Sequence, residues 1–118
     1  MSEVEVRVVL QSIDGILLLP LQSEIHHDLL IELGNTLLGY LEEHGARGVV
    51  LDMAGVEVLD QHDFDELRRV VVSATLMGAS VVLAGIRPGV AAGLTMLDVD
   101  DSWVRAAGTV EQAMALMR

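Results

Sequence analysis

The chain has 118 residues, with 18 acidic and 7 basic side chains, a formal net charge of -11 and no cysteine. All seven basic residues are arginine, which excludes a P-loop lysine, a Schiff-base lysine, a thiolate nucleophile and a cysteine zinc site. Such a negative charge repels nucleic acid and anionic lipid. The hydrophobic content of 52% predicts one folded domain over residues 1–118.

The chain begins MSEVEV, without the basic and apolar regions of a secretory signal. We therefore expect a cytoplasmic protein. An uncharged segment from Val70 to Ile86 approaches a membrane span in length. Polar residues and glycines interrupt it, which favours a helix end, a turn and a strand.

The first elements predict an antiparallel β-hairpin. Apolar and polar residues alternate from Val4 to Leu10, as in a strand with one solvent-facing side. A turn signal at Ser12–Gly15 precedes the apolar run Ile16–Leu19, which is typical of a buried strand. Pro20 ends that strand or lies at its edge.

An amphipathic helix and a buried strand follow. Leucines at helical spacing predict the helix over His26–His44, closed by the left-handed residue Gly45. Gly34 and Gly39 inside it each cost about 1 kcal/mol relative to alanine, which indicates close packing against the sheet or another subunit. Gly48–Asp52 is typical of a strand covered on both faces.

A second helix is predicted between the N-cap Asp60 and Gly78. The residues of its predicted buried stripe share helical spacing and are Phe64, Leu67, Val71, Ala74 and Met77.

The remaining elements continue the alternation. Ser80–Ala84 is predicted as a buried strand, Pro88–Met96 as a third helix, Trp103–Ala106 as a short edge strand and Val110–Met117 as a helix capped by Thr109. This order predicts an α/β fold: a mostly parallel sheet with an N-terminal antiparallel hairpin, flanked by about four helices.

Asp60–Glu66 holds four carboxylates and a histidine within seven residues, where the second helix begins. Acidic side chains at a helix start cap free amides and complement the dipole, each contributing a few tenths to about 1 kcal/mol. A metal site built from Asp60, His62, Asp63 and Glu66 is disfavoured, because neighbours on one helix point in different directions. We therefore expect no metal and no cofactor.

Four segments resemble the STAS domain of anti-sigma-factor antagonists. They are Gly48–Asp52, Val56–Asp60, Leu76–Ala79 and Val81–Pro88. The resemblance runs from about Ile16 to the C-terminus and is strongest to the stressosome proteins RsbS and the C-terminal half of RsbR. It implies a STAS fold and a domain that is not an enzyme. Such domains bind a serine/threonine switch kinase, and their phosphorylation releases or redirects that kinase.

The resemblance also implies where the family accepts phosphate. The phosphorylated serine or threonine follows the aspartate that opens the second helix; here Gln61 follows Asp60. A second threonine of RsbR-like proteins, five residues after Pro88, falls on Gly93. Neither residue accepts phosphate, so both are expected to be pseudo-phosphosites. Gln61 with its acidic neighbours imitates either the unmodified or the phosphorylated state.

The favoured function is a regulatory interaction module in stress signal transduction. It is an RsbS-like antagonist or scaffold that binds an RsbT-like switch kinase, RsbR-like STAS paralogues, or both, as a homo- or hetero-oligomer in a stressosome-like complex. The predicted partner-binding residues are Asp60, Gln61, His62, Asp63, Asp65, Arg87 and Gly93. We expect neither nucleic acid nor membrane among the partners.

Two other functions remain open. One is a small-ligand or nucleotide-sensing module that uses the crevice around Asp52, Gln61 and Arg87, near the carboxyl ends of the predicted strands. The other is a hydrolytic or metal enzyme at His62.

Overall fold

A five-stranded sheet forms the centre of the molecule in a computed structural model that describes residues 10–21, 27–97 and 100–117. Its strands are β1 (Gln11–Ile13), β2 (Ile16–Pro20), β3 (Gly48–Asp52), β4 (Ser80–Ala84) and β5 (Ala106–Ala107). They lie in chain order across the sheet, and β1 pairs antiparallel with β2 while the other pairs are parallel. The helices are α1 (His27–His44), α2 (Gln61–Leu76), α3 (Pro88–Met96) and α4 (Val110–Ala115). The predicted fold class is confirmed.

The N-terminal hairpin is present, but the predicted turn was too long. Ser12 and Ile13 belong to β1, so the turn is confined to Asp14 and Gly15. Both turn residues have positive φ angles, 54° and 79°, which suits the twist of a two-residue hairpin. Residues 4–9 of the predicted strand lie outside the described residues.

Helices cover both faces of the sheet because successive strand residues point to opposite sides. On the larger face, Leu19 and Leu51 join side chains of α1 and α2 in one buried cluster. On the smaller face, Val50 and Val82 pack with Met114 of α4. Burial on both sides explains why β3 and β4 are continuous apolar runs.

The two long helices approach each other closely at Gly34. A Cβ atom placed at Gly34 would overlap Val70 Cγ2 of α2, and Val70 is buried. The predicted close contact of Gly34 is therefore made to α2, not to the sheet or another subunit. Gly39 is exposed, and a Cβ there would meet no described atom within 4 Å. Among the described residues, Gly39 therefore makes no close packing contact of the kind predicted.

The edge strand lies later in the chain than predicted. β5 consists of Ala106 and Ala107, whereas Trp103 belongs to a turn in which its indole Nε1 donates to the Asp100 carbonyl at 2.8 Å. The pattern of a segment as short as Trp103–Ala106 does not fix where a strand begins. The prediction of a strand starting at Trp103 was therefore wrong.

Two helix ends are shorter than predicted. α4 ends at Ala115 instead of Met117. Met77, predicted to be buried, follows the end of α2 and is 47% exposed. Val70, which the predicted stripe omitted, is buried instead.

The segment from Val70 to Ile86 contains the end of α2, a turn and β4, as expected. Within the described ranges, no helix combines the length and the apolar character needed to cross a membrane.

Candidate functional site at the start of α2

A reciprocal hydrogen-bonded cap begins α2. The Asp60 carboxylate accepts a hydrogen bond from the Asp63 backbone N–H at 2.8 Å, and the Asp63 carboxylate accepts from the Asp60 N–H at 3.4 Å. The Asp63 N–H lowers the pKa of Asp60 below its usual value near 3.8, so the ionised form of Asp60 persists to lower pH than that of an ordinary aspartate. The cap fixes how the chain enters the helix and therefore where Gln61, its first residue, lies.

The four acidic side chains at this helix start have different environments. Asp63 is 7% exposed and Glu66 is 9% exposed. Glu66 Oε1 accepts from Arg69 Nε at 2.8 Å and lies 2.7 Å from Arg69 Nη2. Only Asp60 and Asp65 of the four are exposed. Asp63, which is among the predicted partner-binding residues, is buried, and its carboxylate closes the cap.

The exposed residues of the helix start share one shallow depression. Its volume is about 390 Å³, and it is lined by Asp60, Gln61, His62 and Asp65. The structure thus brings together four of the predicted partner-binding residues. The carboxylates of Asp60 and Asp65 and the amide of Gln61 are exposed groups that can hydrogen-bond to another molecule.

A neighbouring depression, which we call the α2 groove, has a volume of about 260 Å³. It is lined by Gln61, Phe64, Asp65, Arg68, Leu97, Asp100 and Trp103. The last three residues come from the connection between α3 and β5 and are not among the site residues predicted from the sequence. Nothing in their local pattern signalled a site, because only the tertiary fold brings this connection beside α2.

Arg87 and Gly93 lie apart from both depressions. Arg87 Nη1 donates to the Ala54 carbonyl at 3.5 Å, which places it against the loop before α2. Gly93 lies inside α3. Of the described residues, those lining the two depressions include neither of these, nor Asp52. Neither depression thus joins Gln61 to Asp52 or Arg87.

The acidic cluster has no metal-binding geometry in the part of the chain that the structure describes. No three histidine, aspartate or glutamate side chains there lie close enough together to hold a metal ion. Asp63 and Glu66 are engaged in the cap and in the ion pair with Arg69.

Comparison with known proteins gives the family. The family model of the STAS domain matches residues 7–113. The RsbT co-antagonist protein RsbRA of Bacillus subtilis (strain 168) is 28% identical over 101 residues, which cover 86% of this chain and 37% of RsbRA. The chain thus spans little more than a third of that relative.

Two solved structures share the fold over most of their length. A serine-to-glutamate variant of RsbS from Moorella thermoacetica aligns with a TM-score of 0.81 and 24% identity over 94% of each chain. A chain of the stressosome, described as a signal integration and transduction hub, aligns with a TM-score of 0.74 and 23% identity, over 92% of this chain and 95% of that one. The chain belongs to the STAS domain family.

Proposed function

We propose that this domain is a non-catalytic regulatory module that binds an RsbT-like serine/threonine switch kinase, RsbR-like STAS paralogues, or both, in a stressosome-like complex. Its similarity to an RsbT co-antagonist supports this. The observation that carries the proposal is the placement of Gln61. It is the exposed first residue of a capped helix, in the position that resembles the family's phosphoacceptor, and its amide cannot accept phosphate.

The charges around Gln61 favour imitation of the unmodified state. A phosphate would add about -1.5 to -2 charges and three strong acceptor oxygens at this position. Gln61 is neutral, and two of the four neighbouring acids, Asp63 and Glu66, are buried and internally bonded. The remaining exposed carboxylates, Asp60 and Asp65, do not supply a phosphate's charge at position 61 itself. We infer that the partner meets a surface in its permanently unphosphorylated form.

The test combines complex formation with phosphate transfer. The purified domain is incubated with the RsbT-like kinase of the same organism and ATP, then examined by size-exclusion chromatography and intact-mass spectrometry. We expect a stable complex without phosphate on the wild-type chain, and one added phosphate on a Gln61→Ser variant. The Gln11→Ser variant serves as a control, since it places an exposed serine in β1 at the far edge of the sheet.

Each part of the proposal has its own contrary result. Stoichiometric phosphate on the wild-type domain would refute the permanently unphosphorylated state. Absence of a complex with both the kinase and RsbR-like paralogues would refute the binding role.

A further inference from the structure

We propose that the α2 groove receives an apolar side chain from a basic segment of the partner protein. This inference rests on the proposed function and specifies the chemistry of the partner segment. The groove is a second feature of the same surface, because Gln61 and Asp65 line both depressions.

Three of the seven lining residues, Phe64, Leu97 and Trp103, are apolar and provide contact for an apolar side chain, while the other four are polar or charged. Phe64 forms part of the buried core and also lines the groove. Leu97 lines it as well and is 42% exposed, so its burial by a partner would be favourable. The Trp103 N–H is already satisfied by the Asp100 carbonyl, which leaves the ring available for apolar contact.

The size of the groove limits its occupant. Pockets for small organic ligands have volumes of roughly 300–1,000 Å³, and this groove has about 260 Å³. A single large side chain fits such a volume better than a nucleotide or a whole helix. A few buried apolar anchors in small pockets commonly dominate the energetics of protein interfaces.

The charges lining the groove favour a basic partner segment. Two carboxylates, Asp65 and Asp100, and one guanidinium, Arg68, line the groove, and the carboxylate of Asp60 lines the adjoining depression. Hydrogen bonds from Ser102, together with the charge of Arg68, lower the pKa of Asp100, which favours its charged form still further. Lysine or arginine beside the apolar anchor would complement this rim. A second copy of the chain is a poor match, because its net charge is -11.

Trp103 provides a direct readout, since it is the single tryptophan of the chain. Its fluorescence is followed during titration with two synthetic amphipathic peptides that have the same leucines. The polar positions are all lysine in one peptide and all glutamate in the other. We expect a saturable change in Trp103 emission with the lysine peptide, at least about fivefold tighter than any change with the glutamate peptide.

Two pairs of variants separate groove binding from general attraction to an acidic protein. Leu97→Ser should weaken binding of the lysine peptide at least about threefold, whereas Leu76→Ser, at an 83% exposed leucine at the end of α2, should not. Asp65→Asn should weaken it by a similar factor, whereas Glu42→Gln removes an equal charge from α1 and should not.

Several results would overturn the inference. One is an equal change of Trp103 emission with the lysine and the glutamate peptide, and another is no change of emission up to millimolar peptide. A third is an equal loss of lysine-peptide affinity in a groove variant and in its matched control. Kinase binding by the wild-type domain together with any of these results would leave the proposed function standing and place the contact elsewhere. Selective peptide binding without a complex with the kinase or with RsbR-like paralogues would support the groove chemistry and refute the proposed function.

Discussion

Gly34 of α1 lies so close to Val70 of α2 that no side chain fits between them: a Cβ on Gly34 would overlap Val70 Cγ2. This contact joins the two long helices on the larger face of the sheet. It therefore helps to set the position of α2, whose first turn carries Gln61.

Alanine substitutions at the two α1 glycines should have opposite effects. Gly34→Ala forces a methyl group into a packed contact, which lowers the free energy of unfolding by about 1–3 kcal/mol. The higher helix propensity of alanine raises it by only about 1 kcal/mol. Gly39→Ala adds a methyl group in open space and should stabilise by about 0.5–1 kcal/mol. Urea unfolding of both variants measures the difference. Stabilisation by Gly34→Ala would contradict the close packing.

The Asp60 cap should make stability depend on pH. Because the folded state lowers the pKa of Asp60 below the unfolded value, the contribution of its ionised form is complete above about pH 5 and is lost as pH falls through the folded pKa. Asp60→Asn keeps a capping oxygen that does not titrate. The decline of unfolding free energy between about pH 5 and pH 3 should then be shallower than in wild type.

A second capping residue provides the control for this pH prediction. Asp60→Ser also keeps a neutral capping oxygen, so it should flatten the acid decline in the same way as Asp60→Asn. Wild-type pH dependence in both variants would show that the Asp60 charge does not contribute through the cap.

The two adjacent arginines of α2 should differ in their effect on stability. Arg69 donates to the nearly buried Glu66, and that hydrogen bond raises the pKa of Arg69. Arg69→Ala leaves Glu66 without this partner and should cost about 1–3 kcal/mol. Arg68→Ala removes an exposed side chain of the groove and should change stability by less than about 0.5 kcal/mol. Equal losses in thermal or urea unfolding would contradict the assigned ion pair.

Local sequence patterns predicted the regular elements because apolar periodicity and backbone preferences are visible within a few neighbouring residues. The runs Gly48–Asp52 and Ser80–Ala84 match β3 and β4, and Pro88 starts α3 as its fixed φ favours. Local patterns failed where tertiary contacts decide. Asp63 is among the predicted partner-binding residues, yet its side chain is buried and accepts a hydrogen bond within the cap. Trp103 lines a groove beside α2 instead of opening a strand.

The candidate site was predicted in part. Its helix start, with the exposed Gln61 and Asp65, follows from the position of the cap in the sequence. The opposite wall of the α2 groove does not, because Leu97 lies 36 positions beyond Gln61 and only the packing of the α3–β5 connection brings them together.

We propose that a partner binds the neutral, unphosphorylated form of the α2 start. The most direct measurement is the affinity of the RsbT-like kinase for the wild-type domain and for Gln61→Glu, determined by isothermal titration calorimetry. The control is Gln11→Glu, which makes the same change at an exposed position in β1. We predict at least about tenfold weaker binding for Gln61→Glu, equivalent to about 1.4 kcal/mol, and wild-type affinity for Gln11→Glu. Equal affinity of Gln61→Glu and wild type would show that the partner does not require a neutral residue at position 61.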